Sequence, residues 1–423
     1  MRCPTEMAFA LPPEPPNMIP DYVPDAIWKN PPGVPEGRRA QEFRMALVLL
    51  RERAKFESSP WYPYLRQLPD DYDLLGEWTP PQLAELRSPS LVAAAESQRE
   101  ENAAAHAAAS LAKTPCGSLT PEAMTWGLNT VRSRMFMGPY PTEGPAPYPA
   151  RASVVVPSPT SSSTRRPEGI LVLPLLDGFN HAPEREGATR LAHRDGAFEL
   201  RANRDFEPGD EATICYGKLA NDELLLRFGF CVDDSVDECV PLPGCAQEIE
   251  ALLPDSARAC DLQKIGLDAA VRNARLDKDG MASPNLLWAL RAALASEEEY
   301  ENAGGAMGFR VNRGGPTRLA AEAALAAACE EEMRALGGDA SMEEDITQLE
   351  AASKVLSEFE AECAPCDEDD EECVEPDPER CGAEGEEGNS PSFLRRLVLA
   401  LSFRVGRKRI LQAALRRYGG QRA

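Results

Sequence analysis

The sequence predicts an α+β chain, on three observations. Between Leu171 and Phe230, strand signals alternate with turns and close on one short helix. Upstream of that stretch, helical periodicity runs over residues 41–53, 91–112 and 120–136. Downstream, residues 285–299, 317–336, 342–360 and 393–418 carry apolar side chains at three- and four-residue spacing, the mark of helices with one buried face.

The central stretch opens on the apolar run Leu171-Val172-Leu173-Pro174-Leu175-Leu176, which passes into Asp177-Gly178-Phe179-Asn180-His181. Two apolar–polar alternating arms then meet at Asp195-Gly196, a dipeptide suited to a primed hairpin turn. The turn Arg204-Asp205-Phe206-Glu207-Pro208-Gly209-Asp210-Glu211 leads to Ala212–Gly217, which reads as a short buried strand. Asn221 is placed to cap a helix over residues 222–228, and the segment ends on Phe228-Gly229-Phe230.

The first 38 residues hold nine prolines between Pro12 and Pro35 and cannot form a long helix. In residues 41–53, Phe43, Ala46, Leu47 and Leu50 share one face. His106 lies in the Ala- and Glu-rich helix over 91–112 and reads as a packing or surface histidine. Thr120 and Pro121 start the next helix, with Met124, Leu128 and Val131 turned inward and Trp126 off that stripe. Residues 140–169 are Pro- and Ser-rich and read as a loop insertion.

Composition narrows the function classes. At 423 residues the chain exceeds one ordinary domain, and 43% hydrophobic content is enough for a core. No apolar run approaches the ~18–20 residues that cross a bilayer, and the N-terminus has no secretory or transit pattern, so a soluble intracellular protein is expected, in cytoplasm, nucleus or plastid. Twelve cysteines without a secretory signal suit a reducing compartment. The net charge of −24 argues against a nucleic-acid partner. Fifteen acids and one arginine between Glu358 and Glu387 account for more than half of it, and residues 358–390 read as a disordered acidic insertion. Cys363, Cys366, Cys373 and Cys381 fall in that tract with spacings that fit no zinc ribbon, and only three histidines exist, so no metal is assigned.

The order Asn180-His181 after an apolar strand, then Pro208-Gly209-Asp210-Glu211, then Tyr216-Gly217, then a helix ending in Phe228-Gly229-Phe230 resembles the C-terminal half of a SET domain. More narrowly it is similar to the Rubisco large-subunit lysine methyltransferase-like branch. Trp61-Tyr62-Pro63-Tyr64-Leu65 with Leu68-Pro69, and Ser133-Arg134-Met135-Phe136, match the same branch. The resemblance implies a SET-domain β-fold split by a helical insertion at about 41–118, with the SET part over 39–232. It further implies an all-helical domain over 245–423 that docks the protein substrate, in which Glu343-Glu344-Asp345-Ile346 and Arg407-Lys408-Arg409-Ile410-Leu411 are weak matches. The branch's opening Gly-x-Gly strand is not recognisable in residues 1–38.

By the same resemblance the activity is S-adenosylmethionine-dependent protein-lysine N-methylation by a monomer with no nucleic-acid or membrane partner. Such a transfer is an in-line displacement that needs alignment and a neutral amine, which a narrow apolar channel favours. Tyr216 stands where the family has its methyl-side hydroxyl; the alternative is a core tyrosine at a strand end. Ser133, Arg134, Asp177, Asn180, His181 and Phe228 would hold the cofactor, and Phe230, Tyr216 and Asp177 would line the substrate channel. Without the family context, the phenylalanine pair would read as core, Asp177 as a loop cap and Arg134 as a helix-terminal arginine. Two further readings stay open: a catalytically silent module that binds partners, and histidine as the methyl acceptor.

Overall fold

A computed structural model describes residues 1–11, 23–111, 119–139, 168–184, 189–245, 247, 257–310, 315–362 and 390–419. It divides the chain into two compact units. The first takes in Met1–Glu77, Ala93–Leu219 and Glu223–Gly229; the second takes in Trp78–Val92, Ala220–Asp222 and Phe230–Ala423. Residues 78–92 thus count with the second unit, inside the span expected for the helical insertion. The cysteines and most acids of the tract over 358–390, and residues 140–167 of the Pro/Ser insertion, lie outside the described residues.

The Pro-rich start holds more order than its composition suggests. Strand β1 (Arg2–Pro4) and strand β2 (Phe9–Leu11) precede the proline cluster and join different sheets. Strands β3 (Met135–Pro139) and β4 (Glu168–Val172) complete one sheet in the order β2-β4-β3. The second sheet runs β1-β6-β5, with β5 at Thr189–Arg194 and β6 at Ala197–Ala202. Every pairing is antiparallel. β5 and β6 meet at Asp195 and Gly196, whose φ values of 50° and 69° make the primed turn that their dipeptide predicts.

Two expected elements differ. Residues 212–217 contribute a single parallel bridge, His181 to Ile214, where a strand was expected. Ile214 donates to Asn180 O and accepts from Ala182 N, both at 2.9 Å, and Gly217 at φ 135° ends the extended run. Asn221 does not cap its helix (Asn221–Phe228); its side chain clasps Val232, accepting from the backbone N at 2.7 Å and donating to the O at 3.0 Å.

The helix Arg38–Arg53 packs on Pro121–Arg134, burying Phe43, Ala46, Leu47 and Leu50 as the periodicity requires. Thr120 caps the latter by accepting from Ala123 N at 3.2 Å. Trp126, read as off the stripe, is buried, because its indole donates to Pro69 O at 2.8 Å. Glu42 is buried between the two helices, and burial alone would raise its pKa. Arg132 at 3.2 Å and Arg39 at 2.9 Å hold it low instead. The His106 ring meets Leu119 O at 2.9 Å, a packing role.

The second unit is mostly helical but not wholly so: β7 (Cys239–Pro241) pairs antiparallel with β8 (Arg275–Asp277). Its helices Pro316–Ala335, Met342–Glu362 and Pro391–Tyr418 match the sequence periodicity closely. The expected helix over 285–299 is two, Pro284–Leu294 and Glu297–Asn302, because Ser296 and Glu299 form a capping box that restarts the chain. Among the described residues no helix is long and apolar enough to cross a membrane, no acid/His/Cys cluster could hold a metal, and the cysteines are free thiols.

Candidate active site

The site is built in the first unit, where the end of β4, the turn after it and the chain around Ile214 converge. After Val172 the backbone takes a left-handed step at Leu175 (φ 71°) into a short 3₁₀ turn at Leu176–Gly178. That turn buries Asp177, whose carboxylate accepts from the Tyr64 hydroxyl at 2.6 Å. Arg134, the last residue of its helix, reaches both the Asp177 carboxylate and its backbone O at 3.4 Å. Burial raises the Asp177 pKa, against the opposing pull of Tyr64 and Arg134. Tyr64 itself is pushed well above its ordinary value by burial and then by the Asp177 charge, so it stays a neutral donor.

The His181–Ile214 bridge sets the second half of the site. His181 Nδ1 accepts from Tyr216 N at 3.1 Å, which leaves the ring proton on Nε2. The Tyr216 hydroxyl donates to Phe179 O at 2.7 Å, and its ring lies 5.1 Å from His181 and 4.8 Å from Phe228, centroid to centroid. Burial raises the Tyr216 pKa, so the phenol is neutral at physiological pH. The Asn180 amide donates to Glu211 Oε1 at 2.6 Å, while Ser133 Oγ donates to Asn129 O at 2.7 Å in its own helix.

The structure therefore brings Asp177 together with Arg134, and Tyr216 together with His181 and Phe228. Phe230 follows Gly229 and belongs to the second unit. For a carboxylate-bearing adenosyl cofactor the donor set is suitable. Among the described residues Arg134 Nε is buried without a hydrogen-bond partner, a spare guanidinium N–H of the kind that binds carboxylates.

No family model matches the chain. Among curated proteins, Protein SET DOMAIN GROUP 40 of Arabidopsis thaliana is 27% identical over 216 residues, 47% of this chain and 42% of that protein. The chloroplastic Rubisco large subunit N-methyltransferase of Pisum sativum is 27% identical over 232 residues, 49% of this chain and 42% of the relative. An actin-histidine N-methyltransferase of Danio rerio is 25% identical over 269 residues, 61% and 40% of the two chains. The chain thus spans about two fifths of the length of these relatives. Among solved structures, the SET domain of LSMT bound to lysine and AdoHcy superposes with a TM-score of 0.57 at 19% identity, covering 99% of this chain and 81% of that one. Rubisco LSMT bound to AdoMet gives 0.51 at 19%, covering 90% and 75%. At such identity the likeness is one of fold. The chain has the fold of a SET domain.

Two residues of the site were not singled out from the sequence. Tyr64 belongs to the Trp61–Leu65 motif, but nothing local says that its hydroxyl meets a carboxylate 113 residues away. Glu211 ends the Pro208-Gly209-Asp210-Glu211 turn and holds the Asn180 amide across 31 residues. The N-terminal strands were hidden because each is three residues long, below the length at which alternation is readable.

Proposed function

We propose that the chain is an S-adenosylmethionine-dependent protein N-methyltransferase whose acceptor is a lysine side-chain amine. The observation that carries this reading is the Tyr216 constellation: a neutral phenol anchored on a main-chain carbonyl, flanked by His181 and Phe228. Arg134, Ser133, Asp177, Asn180, His181 and Phe228 would hold the cofactor, which supplies an activated methyl group. Tyr216 Oη donates its one proton to Phe179 O and keeps lone pairs for a polarised methyl, and Phe179 O is a second acceptor beside it. The Tyr216 and Phe228 rings, packed at 4.8 Å, would present aromatic surface beside a forming cation. Asp177, buried and engaged by Tyr64 and Arg134, orients that end of the site. Phe230 would line the approach of the acceptor, and the mostly helical second unit would dock the protein substrate, with the enzyme acting as a monomer.

The test is incubation of purified protein with methyl-labelled S-adenosylmethionine and lysate, followed by mass spectrometry of the labelled protein. Label on lysine supports the reading, and absence of label from any protein overturns it in favour of a silent binding module. Label on histidine would establish the second reading, which the likeness to an actin-histidine N-methyltransferase over 61% of this chain supports.

A further inference from the structure

The second unit contains a cavity of about 800 Å³ bounded by the helix Pro284–Leu294, the turn Ala306–Arg310, the start of Pro316–Ala335 and the end of Pro391–Tyr418. Four arginines line it, Arg291, Arg310, Arg318 and Arg417, against one acid, Glu322. In a chain of net charge −24 this is a local reversal of sign. The groove is also built rather than casual. Arg291 is 6% exposed and donates to Phe309 O at 3.1 Å, which fixes its guanidinium at the groove wall. Arg318 is paired with Glu322 at 2.8 Å. Burial first, and then the nearby charge of Arg318, lower the Arg291 pKa. A bound anion would relieve that repulsion. Trp288 has its indole N–H on Ala306 O at 2.7 Å, holding the ring with the Arg310 guanidinium carbon 5.7 Å from its centroid.

We infer that this groove binds an acidic peptide segment of a protein partner. Guanidinium groups pair with carboxylates in two-point geometry, and arginine and tryptophan are both enriched among the residues that anchor protein interfaces. The cavity is too large for one carboxylate and suits several residues of chain. A nucleic acid fits less well, since it needs an extended basic track and would meet an otherwise acidic protein.

The test is fluorescence anisotropy of a fluorescein-labelled octa-glutamate peptide titrated with the full chain at about 50 mM and about 300 mM salt. Saturable binding that weakens at the higher salt is expected. The variant Arg310→Glu/Arg417→Glu, which changes two exposed side chains and should melt like the parent, is expected to bind at least about tenfold more weakly. Arg190→Glu, an exposed change in the first unit, should leave binding unaltered. Because the acids between Glu358 and Glu387 could compete, the titration is repeated on a chain with Asp367–Glu372 replaced by serine. No saturable binding by either chain, equal binding by the double variant, or tighter binding of a single-stranded octanucleotide would each overturn the inference. The readout requires no methyl transfer, so its failure leaves the catalytic reading standing.

Discussion

The Tyr216 hydroxyl donates to the Phe179 carbonyl at 2.7 Å, and the Tyr216 backbone N–H donates to His181 Nδ1 at 3.1 Å. One residue is thus fixed at both ends by the turn that follows β4. The ring cannot swing without breaking a bond to that turn, and its oxygen stays oriented. Tyr216→Phe keeps the ring and the backbone bond and removes the oxygen alone. We expect methyl incorporation to fall about 100- to 1,000-fold, the usual loss of one preorganised transition-state contact, while S-adenosylmethionine affinity measured by calorimetry changes little.

Gly229 explains why a glycine separates Phe228 from Phe230. Its φ is 77°, and a Cβ there would sit 2.5 Å from Asp73 O. Gly229→Ala therefore combines left-handed strain with a backbone clash that no rotamer relieves. A loss of at least about 2 kcal/mol is expected in urea unfolding monitored by circular dichroism.

Asp345 is 1% exposed and receives Lys408 Nζ at 2.6 Å and the guanidinium of Arg404, both cations being fully buried. The acidic and basic matches noted from the sequence at 343–346 and 407–411 thus meet through Asp345 and Lys408. Asp345→Asn keeps the shape but takes the counter-charge from Lys408 and leaves Arg404 with Glu85 alone, at 3.4 Å. It should cost about 3–5 kcal/mol and lower the melting temperature accordingly.

Glu238 is buried, accepts from Asn221 N at 3.0 Å through one oxygen and, among the described residues, has no hydrogen-bond partner for the other. Burial pushes its pKa from 4.5 to about 7. The folded state therefore binds more protons than the unfolded state between those values, so the contribution of Glu238 is present below pH 4.5 and is lost as pH rises toward 7. Glu238→Gln removes that loss. The variant should match the parent in the acid range and exceed it by up to about 3 kcal/mol at pH 8, read from paired denaturation curves.

The sequence disclosed most where a local rule acts over a full turn or more. Asp195-Gly196 prescribed its hairpin, Thr120-Pro121 its helix start, and the long helices announced themselves by spacing. It failed where long-range bonds override local preference. Asn221 has the chemistry of a cap but is drawn to Val232, and Trp126 is buried because Pro69 O lies within reach of its indole. The ordered motifs marked Tyr216, His181 and Asp177, yet the partners that fix them, Tyr64 and Phe179 O among them, become visible only once the chain is folded.

The most direct test of the account is calorimetric titration of the purified chain with S-adenosylmethionine, beside Asn180→Ala. Saturable one-to-one binding is expected, weakened at least about tenfold when the Asn180 amide is removed. No measurable binding by the unaltered chain, or affinity indifferent to Asn180, would contradict it.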